Sequence, residues 1–183
     1  FKGTTEIISQ SWAPPSEWRF ENYNVLFQNS DFFIYFKNTI FVTGISLVFL
    51  VFFSSMASYA LACYKFKWTK WVSILFILGI MIPQHASIIP LFLMLRDMNM
   101  LDKAWILPIP YLAIQLPFSI YILTGYMRAI PKELIEAATI DGCGPWRTYF
   151  RVILPIAKPG ITVISIFGGV WFWNEFLYPM LFT

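Results

Sequence analysis

The 183-residue chain is 58% hydrophobic and 20% aromatic but only 13% charged, about half the charged share of an ordinary soluble domain. High hydrophobicity excludes an intrinsically disordered chain, two cysteines are too few for a disulfide-stapled scaffold, and a net charge of +3 is too small for a nucleic-acid footprint. A membrane protein is the leading class, with an all-α transmembrane bundle expected from the apolar runs that follow.

Residues 1–38 form a polar segment that opens on Phe1 without an initiating Met or a signal-peptide pattern, with three basic residues (Lys2, Arg19, Lys37) against four acids (Glu6, Glu17, Glu21, Asp31). Trp12, Pro14, Pro15 and Trp18 give it a surface that either contacts a partner or packs on the membrane face. No charge then occurs between Lys37 and Lys65, which predicts a span at about 39–63, since roughly 20 apolar residues cross the hydrocarbon core. The loop 64–70 carries Lys65, Lys67 and Lys70 and no acid. The next charge-free run ends at Arg96 and predicts a second span at about 71–95. Within it, Pro83 and Pro90 bracket Gln84, His85, Ala86 and Ser87. Proline frees backbone carbonyls that a bilayer cannot satisfy, so such a segment is either a packing kink or part of a transport path.

In the loop 96–103, Arg96 and Lys103 are balanced by Asp97 and Asp102, and a third span follows at about 104–127. It contains Gln115 and Pro117, while Pro108 and Pro110 fall in a first turn where proline loses no helical bond. Buried helices of a soluble core would need three such runs with almost no polar face in a short chain. The segment 128–159 holds Arg128, Lys132, Arg147, Arg151 and Lys158, and a last apolar stretch, 160–182, is interrupted only by Glu175. Short loops rich in Lys and Arg stay cytoplasmic, which places 64–70 and 128–159 inside and the N-terminal segment outside. Gly168 and Gly169 suit close helix packing. Trp171, Trp173, Asn174 and Glu175 combine ring faces with an amide and a carboxylate, a set that suits a polyol in a membrane cavity. The same set also suits an aromatic anchor at headgroup depth.

Segment 128–159 is the most informative. Pro131 opens a helix with Glu133 and Glu136 in its N-terminal half, and Asp141-Gly142 ends it. Pro145 opens a second helix expected to stop before Pro155, with Trp146, Tyr149, Phe150 and Ile153 at helical spacing on one face. Taken alone, this hairpin could lie on the lipid surface. The order Glu136-Ala137-Ala138, Asp141-Gly142, then Leu154-Pro155 resembles the EAA loop of permease subunits of binding-protein-dependent ABC importers. Residues 82–92 and 173–177 resemble the carbohydrate-importing, maltose-type branch. Cys143 and Asn99 stand where that family more often has Ala and Gly.

The resemblance implies one permease domain, four central spans of a six-helix subunit in a bacterial or archaeal cytoplasmic membrane. Glu136, Ala137, Ala138, Asp141 and Gly142 would form a coupling helix docked on a cytoplasmic ABC ATPase, with Leu154 and Pro155 leading back to the membrane. A second permease subunit, an extracytoplasmic substrate-binding protein and a sugar would be the other partners, beside membrane lipid. No phosphate-cradling Gly-x-x-x-x-Gly-Lys-[Ser/Thr] occurs, so ATP and Mg²⁺ would belong to the ATPase and this chain needs no cofactor of its own. The substrate-path candidates are Gln84, Gln115, Trp171, Trp173, Asn174 and Glu175. An ion-coupled secondary transporter, suggested by His85 and Glu175, is the alternative, although no motif recurs as an internal repeat. One His and two separated Cys supply neither a metal site nor a catalytic constellation, so an enzyme is not expected.

Overall fold

A computed structural model describes every residue except Phe1, Glu17, Arg19, Ser30 and Lys65. Three residues of the charge map above, Glu17, Arg19 and Lys65, therefore lie outside the described residues. The fold is all-α. It divides into two compact units, Phe1–Thr39 and Ile40–Thr183.

The first unit holds α1 (Thr4–Ser9) and α2 (Glu21–Asn29). Glu6 Oε1 accepts the Ser16 backbone N–H at 2.6 Å, and that bond to the charged form holds its carboxyl below the usual carboxylate range. Phe27 meets Phe32 edge-on at 5.4 Å and stacks on Phe33 at 5.5 Å.

The second unit takes the rest of α3 (Phe32–Cys63), then α4 (Thr69–Met81), α5 (Ile88–Asp97), α6 (Pro108–Arg128), α7 (Lys132–Ile140), α8 (Pro145–Thr148), α9 (Leu154–Ile156), α10 (Lys158–Asn174) and α11 (Leu177–Phe182). By length and composition, α3 and the stretch Ala104–Arg128 can each cross a bilayer, with mean hydropathy 2.3 and 1.7. Two further pairs do so only if a bend is allowed: Thr69–Met81 with Gln84–Asp97, bent by 89°, and Pro145–Ile156 with Lys158–Asn174, bent by 74°.

The first bend has a local cause. Pro83 disfavours the helical region for the residue before it, and Ile82 accordingly sits at φ −71°, ψ 121°, ending α4. A 3₁₀ turn over Gln84–Ser87 leads into α5, where Pro90 is third and loses no helical bond. α5 ends with Asn99 at φ 55°, the Met100 N–H reaching back to Leu95 O at 2.9 Å. Asn is the residue that best replaces Gly in this left-handed cap, which accounts for its presence where Gly is commoner.

Pro155 does not stop the hairpin's second helix as expected. A π turn over Tyr149–Ile153 lets Leu154 N–H bond to Tyr149 O, and the added residue carries the helix past the missing proline N–H. The break falls instead at Ala157, two residues before Pro159. The expected single apolar face is also divided: Tyr149 and Ile153 are buried, whereas Trp146 and Phe150, stacked on each other at 6.4 Å, are exposed. The run 160–182 is likewise two helices, because Glu175 is extended and separates α10 from α11.

Two apolar cores occupy opposite ends of α3 and α6. One gathers Val42, Leu50, Leu95, Ile106, Leu107, Tyr111, Phe172, Tyr178 and Phe182; the other gathers Tyr59, Met127, Ile130, Tyr149, Ile153 and Ala157. Between them α3 buries Ser46, Ser54, Ser55 and Ser58, small residues that let helices approach closely. Ser58 Oγ donates to Ile120 O of α6 at 3.1 Å. Glycine serves the same purpose elsewhere: a Cβ on Gly168 would stand 2.6 Å from Leu50 Cδ2, and one on Gly79 would stand 3.1 Å from Pro117 Cγ.

Candidate functional site

The EAA-like loop folds as a short helix with a glycine cap. Gly142 has φ +73°, its N–H donates to Thr139 O at 3.0 Å, and Cys143 N–H donates to Ala138 O at 2.9 Å. This pair of backward bonds is the Schellman ending, which needs a left-handed residue at the glycine position. α7 buries Ala138 and half-buries Ile135, while Glu133, Leu134, Glu136, Ala137 and Ile140 face outward, Ile140 at 86% exposure. Asp141 is exposed, and Pro155 is exposed beside a half-buried Leu154. The helix thus offers one small face to its own chain and a mixed acidic and apolar face to its surroundings.

The loop is fastened to α3 by two bonds that sequence reading did not single out. Tyr149 and Ser55 share a buried hydroxyl–hydroxyl bond of 2.7 Å, and Tyr59 OH donates to Pro145 O at 3.1 Å. The Tyr59 and Tyr149 rings lie 5.2 Å apart. Ile135 of α7 packs on this same cluster, so α7, the π turn and the ends of α3 and α6 share one core. The only hint in sequence was a serine pair, Ser54 and Ser55, inside an otherwise apolar span.

Of the substrate-path candidates, Trp171, Asn174 and Glu175 meet along one open groove of about 490 Å³, walled by Ile166, Phe167 and Val170. Gln84, Gln115 and Trp173 are not part of its lining. Trp171 stands edge-on to Tyr111 at 5.3 Å, and Tyr111 stacks on Phe172 at 5.4 Å. Asn174 Nδ2 donates to Val170 O at 2.7 Å on its own helix. The Glu175 carboxylate accepts the N–H groups of Leu177 at 2.9 Å and Tyr178 at 3.4 Å. It therefore caps the start of α11, a role consistent with a carboxylate at free N–H groups.

That cap positions a residue absent from the candidate set. Tyr178, fully buried, sends its hydroxyl to Gln84 O at 3.1 Å, with Ser87 Oγ 3.4 Å away. The break after α10 is thus bonded to the break after α4. Asp102 N–H donates to Phe182 O at 2.8 Å and ties the far end of α11 to the loop before α6.

Residues 51–183 match the family described as binding-protein-dependent transport system inner membrane component. The chain belongs to this family. Among relatives of this inner membrane component, the diacetylchitobiose uptake system permease protein NgcG of Streptomyces coelicolor is 35% identical over 180 residues, covering 98% of this chain and 60% of that protein. The melibiose/raffinose/stachyose import permease protein MelC of Bacillus subtilis is 33% identical over 175 residues, covering 95% and 63%. A crystal structure of a bacterial ABC transporter involved in the import of the acidic polysaccharide alginate contains a chain with TM-score 0.82 and 25% identity, covering 92% of this chain and 59% of that one. The chain spans about three fifths of the length of the curated relatives it matches. Families of this kind are transport components rather than enzymes.

Proposed function

We propose that this inner membrane component is a permease subunit of an ATP-driven importer, carrying a sugar or related polyol inward by alternating access across a bacterial or archaeal cytoplasmic membrane. Its partners are cytoplasmic ABC ATPase subunits, which bind ATP and Mg²⁺, a second permease subunit and an extracytoplasmic binding protein. The observation that carries the reading is α7: a glycine-capped helix with an exposed outward face, braced on the ends of two spans by Tyr149, Tyr59 and Ile153. A short rigid lever of this kind converts rocking of a docked subunit into rotation of the helices behind it. Glu136, Ala137, Ala138, Asp141 and Gly142 form the coupling surface, and Leu154 and Pro155 return the chain to the membrane.

Support for a carbohydrate comes from the names of the relatives, which describe diacetylchitobiose uptake and melibiose, raffinose and stachyose import. The groove of Trp171, Asn174 and Glu175, apolar walls with a few polar groups, has the composition a sugar ring needs. Gln84, Gln115 and Trp173 serve the path away from that groove. No comparable observation favours an ion-coupled carrier, since the Glu175 carboxylate is engaged in capping α11.

The test is substrate-stimulated ATP hydrolysis by the reconstituted full complex carrying Glu136→Lys or Gly142→Asp in this subunit. Both changes are expected to lower stimulated hydrolysis at least tenfold with assembly intact. Full stimulation in both variants would remove the coupling role.

A further inference from the structure

A second cavity has no part in the reading above. A groove of about 560 Å³ runs between α4 and α6, lined by Phe76, Ile77, Ile120 and Tyr121 along its length and by Thr124 and Arg128 at one end. A second hollow of about 460 Å³ continues from it, shares Ser73 and Arg128, and adds Lys67 and Lys70. No acid lines either hollow. Among the described residues the one salt bridge joins Arg96 to Asp97, so Lys67, Lys70 and Arg128 form no ion pair. The three cations face one concavity whose floor is hydrocarbon.

The two hollows meet at Arg128, and Thr124 of α6 lies one turn, about 6 Å, deeper. The groove therefore presents, in order, three unpaired cations and an apolar trough.

We propose that this groove is a binding site for one anionic glycerophospholipid of the leaflet facing the 128–159 segment. Its phosphate lies among Lys67, Lys70 and Arg128, and an acyl chain follows Phe76, Ile77 and Ile120. The volume falls within the range of about 300–1,000 Å³ usual for small-molecule sites. Basic pockets between spans at the cytoplasmic surface suit anionic headgroups, and three cations without an acid beside them are a requirement that a helix with an apolar face would not meet. The site is separate from the coupling helix and from the Trp171 groove, so it stands or falls independently of the transport reading. Only the name of the leaflet depends on the charge-based orientation.

The experiment uses the complete complex, stripped of lipid in detergent and exposed to phosphatidylglycerol or phosphatidylcholine. Native mass spectrometry then counts retained lipid. One phosphatidylglycerol per copy of this subunit is expected to survive, with phosphatidylcholine washed out. Lys70→Gln should weaken retention about fivefold and Lys70→Gln with Arg128→Gln further, in line with the effect of single basic residues near a membrane surface. Lys103→Gln, in the loop before α6, should change nothing. Equal retention of the two lipids, retention unaltered by Lys70→Gln with Arg128→Gln, or displacement by millimolar inorganic phosphate would overturn the proposal. So would crosslinking of a photoreactive residue at Phe76 to a partner subunit rather than to lipid.

Discussion

At Gly142 a single backbone angle decides how a loop ends. With φ +73°, an L side chain there costs about 1–2 kcal/mol, less for Asn than for Ala because Asn tolerates the left-handed region. Nothing lies within 4 Å of the position a Cβ would take, so the penalty is conformational rather than steric. Gly142→Ala should therefore lower stability of the complex by about 1–2 kcal/mol in thermal unfolding, Gly142→Asn by less, and an unchanged midpoint for Ala would argue against the strained cap. This residue was legible from sequence, because Asp-Gly after a periodic stretch is a helix-stop signal. Tyr178 was not. Its neighbours read as a simple continuation of an apolar run, and its partner Gln84 lies 94 residues away in the chain.

Among the elements, the two broken helices carry the clearest lesson. Proline at 83 announced the first break, since its effect on the preceding residue is local. The π turn before Pro155 was invisible, because whether a helix detours around a proline depends on the buried Tyr149 and Ile153 that hold the widened turn. Glu175 was legible as an unusual acid and not as a cap, since its bonds require the chain to turn at that point. The distinction is measurable. If the carboxylate acts through α11, Glu175→Gln keeps an acceptor oxygen and should retain most transport, whereas Glu175→Ala should raise the concentration of denaturant-sensitive, partly opened protein and reduce transport several-fold. Loss of substrate affinity in Glu175→Gln equal to that in Glu175→Ala would instead make Glu175 a direct ligand.

On the scale of the second unit, the charge-free runs 39–63 and 104–127 lie within α3 and the stretch Ala104–Arg128, because length and apolarity are written directly in the residues, whereas 71–95 is divided by a bend of 89°. How those helices join was not legible, since it depends on hydroxyl pairs such as Tyr149 with Ser55 that look like ordinary polar residues in an apolar run. Bonds of this type between membrane helices average about 0.6 kcal/mol and reach about 1.7, so one of them is a fastening rather than a foundation. Tyr149→Phe and Ser55→Ala should each destabilise the complex by about 1 kcal/mol. The double variant should cost less than the sum, and strict additivity in that cycle would show that the hydroxyls do not interact.

The division of α7 into an inward Ala138 and an outward set of Glu133, Leu134, Glu136, Ala137 and Ile140 has a consequence for how such proteins diversify. With the coupling role proposed above, fold and recognition fall on opposite sides of the same nine-residue helix. Substitutions outside can accumulate without disturbing the packing inside, so on that proposal affinity for one ATPase subunit is exchanged for another by grafting a handful of side chains, with a domain-swapped loop in a binding assay as the check. A chain built this way can change allegiance while keeping its architecture.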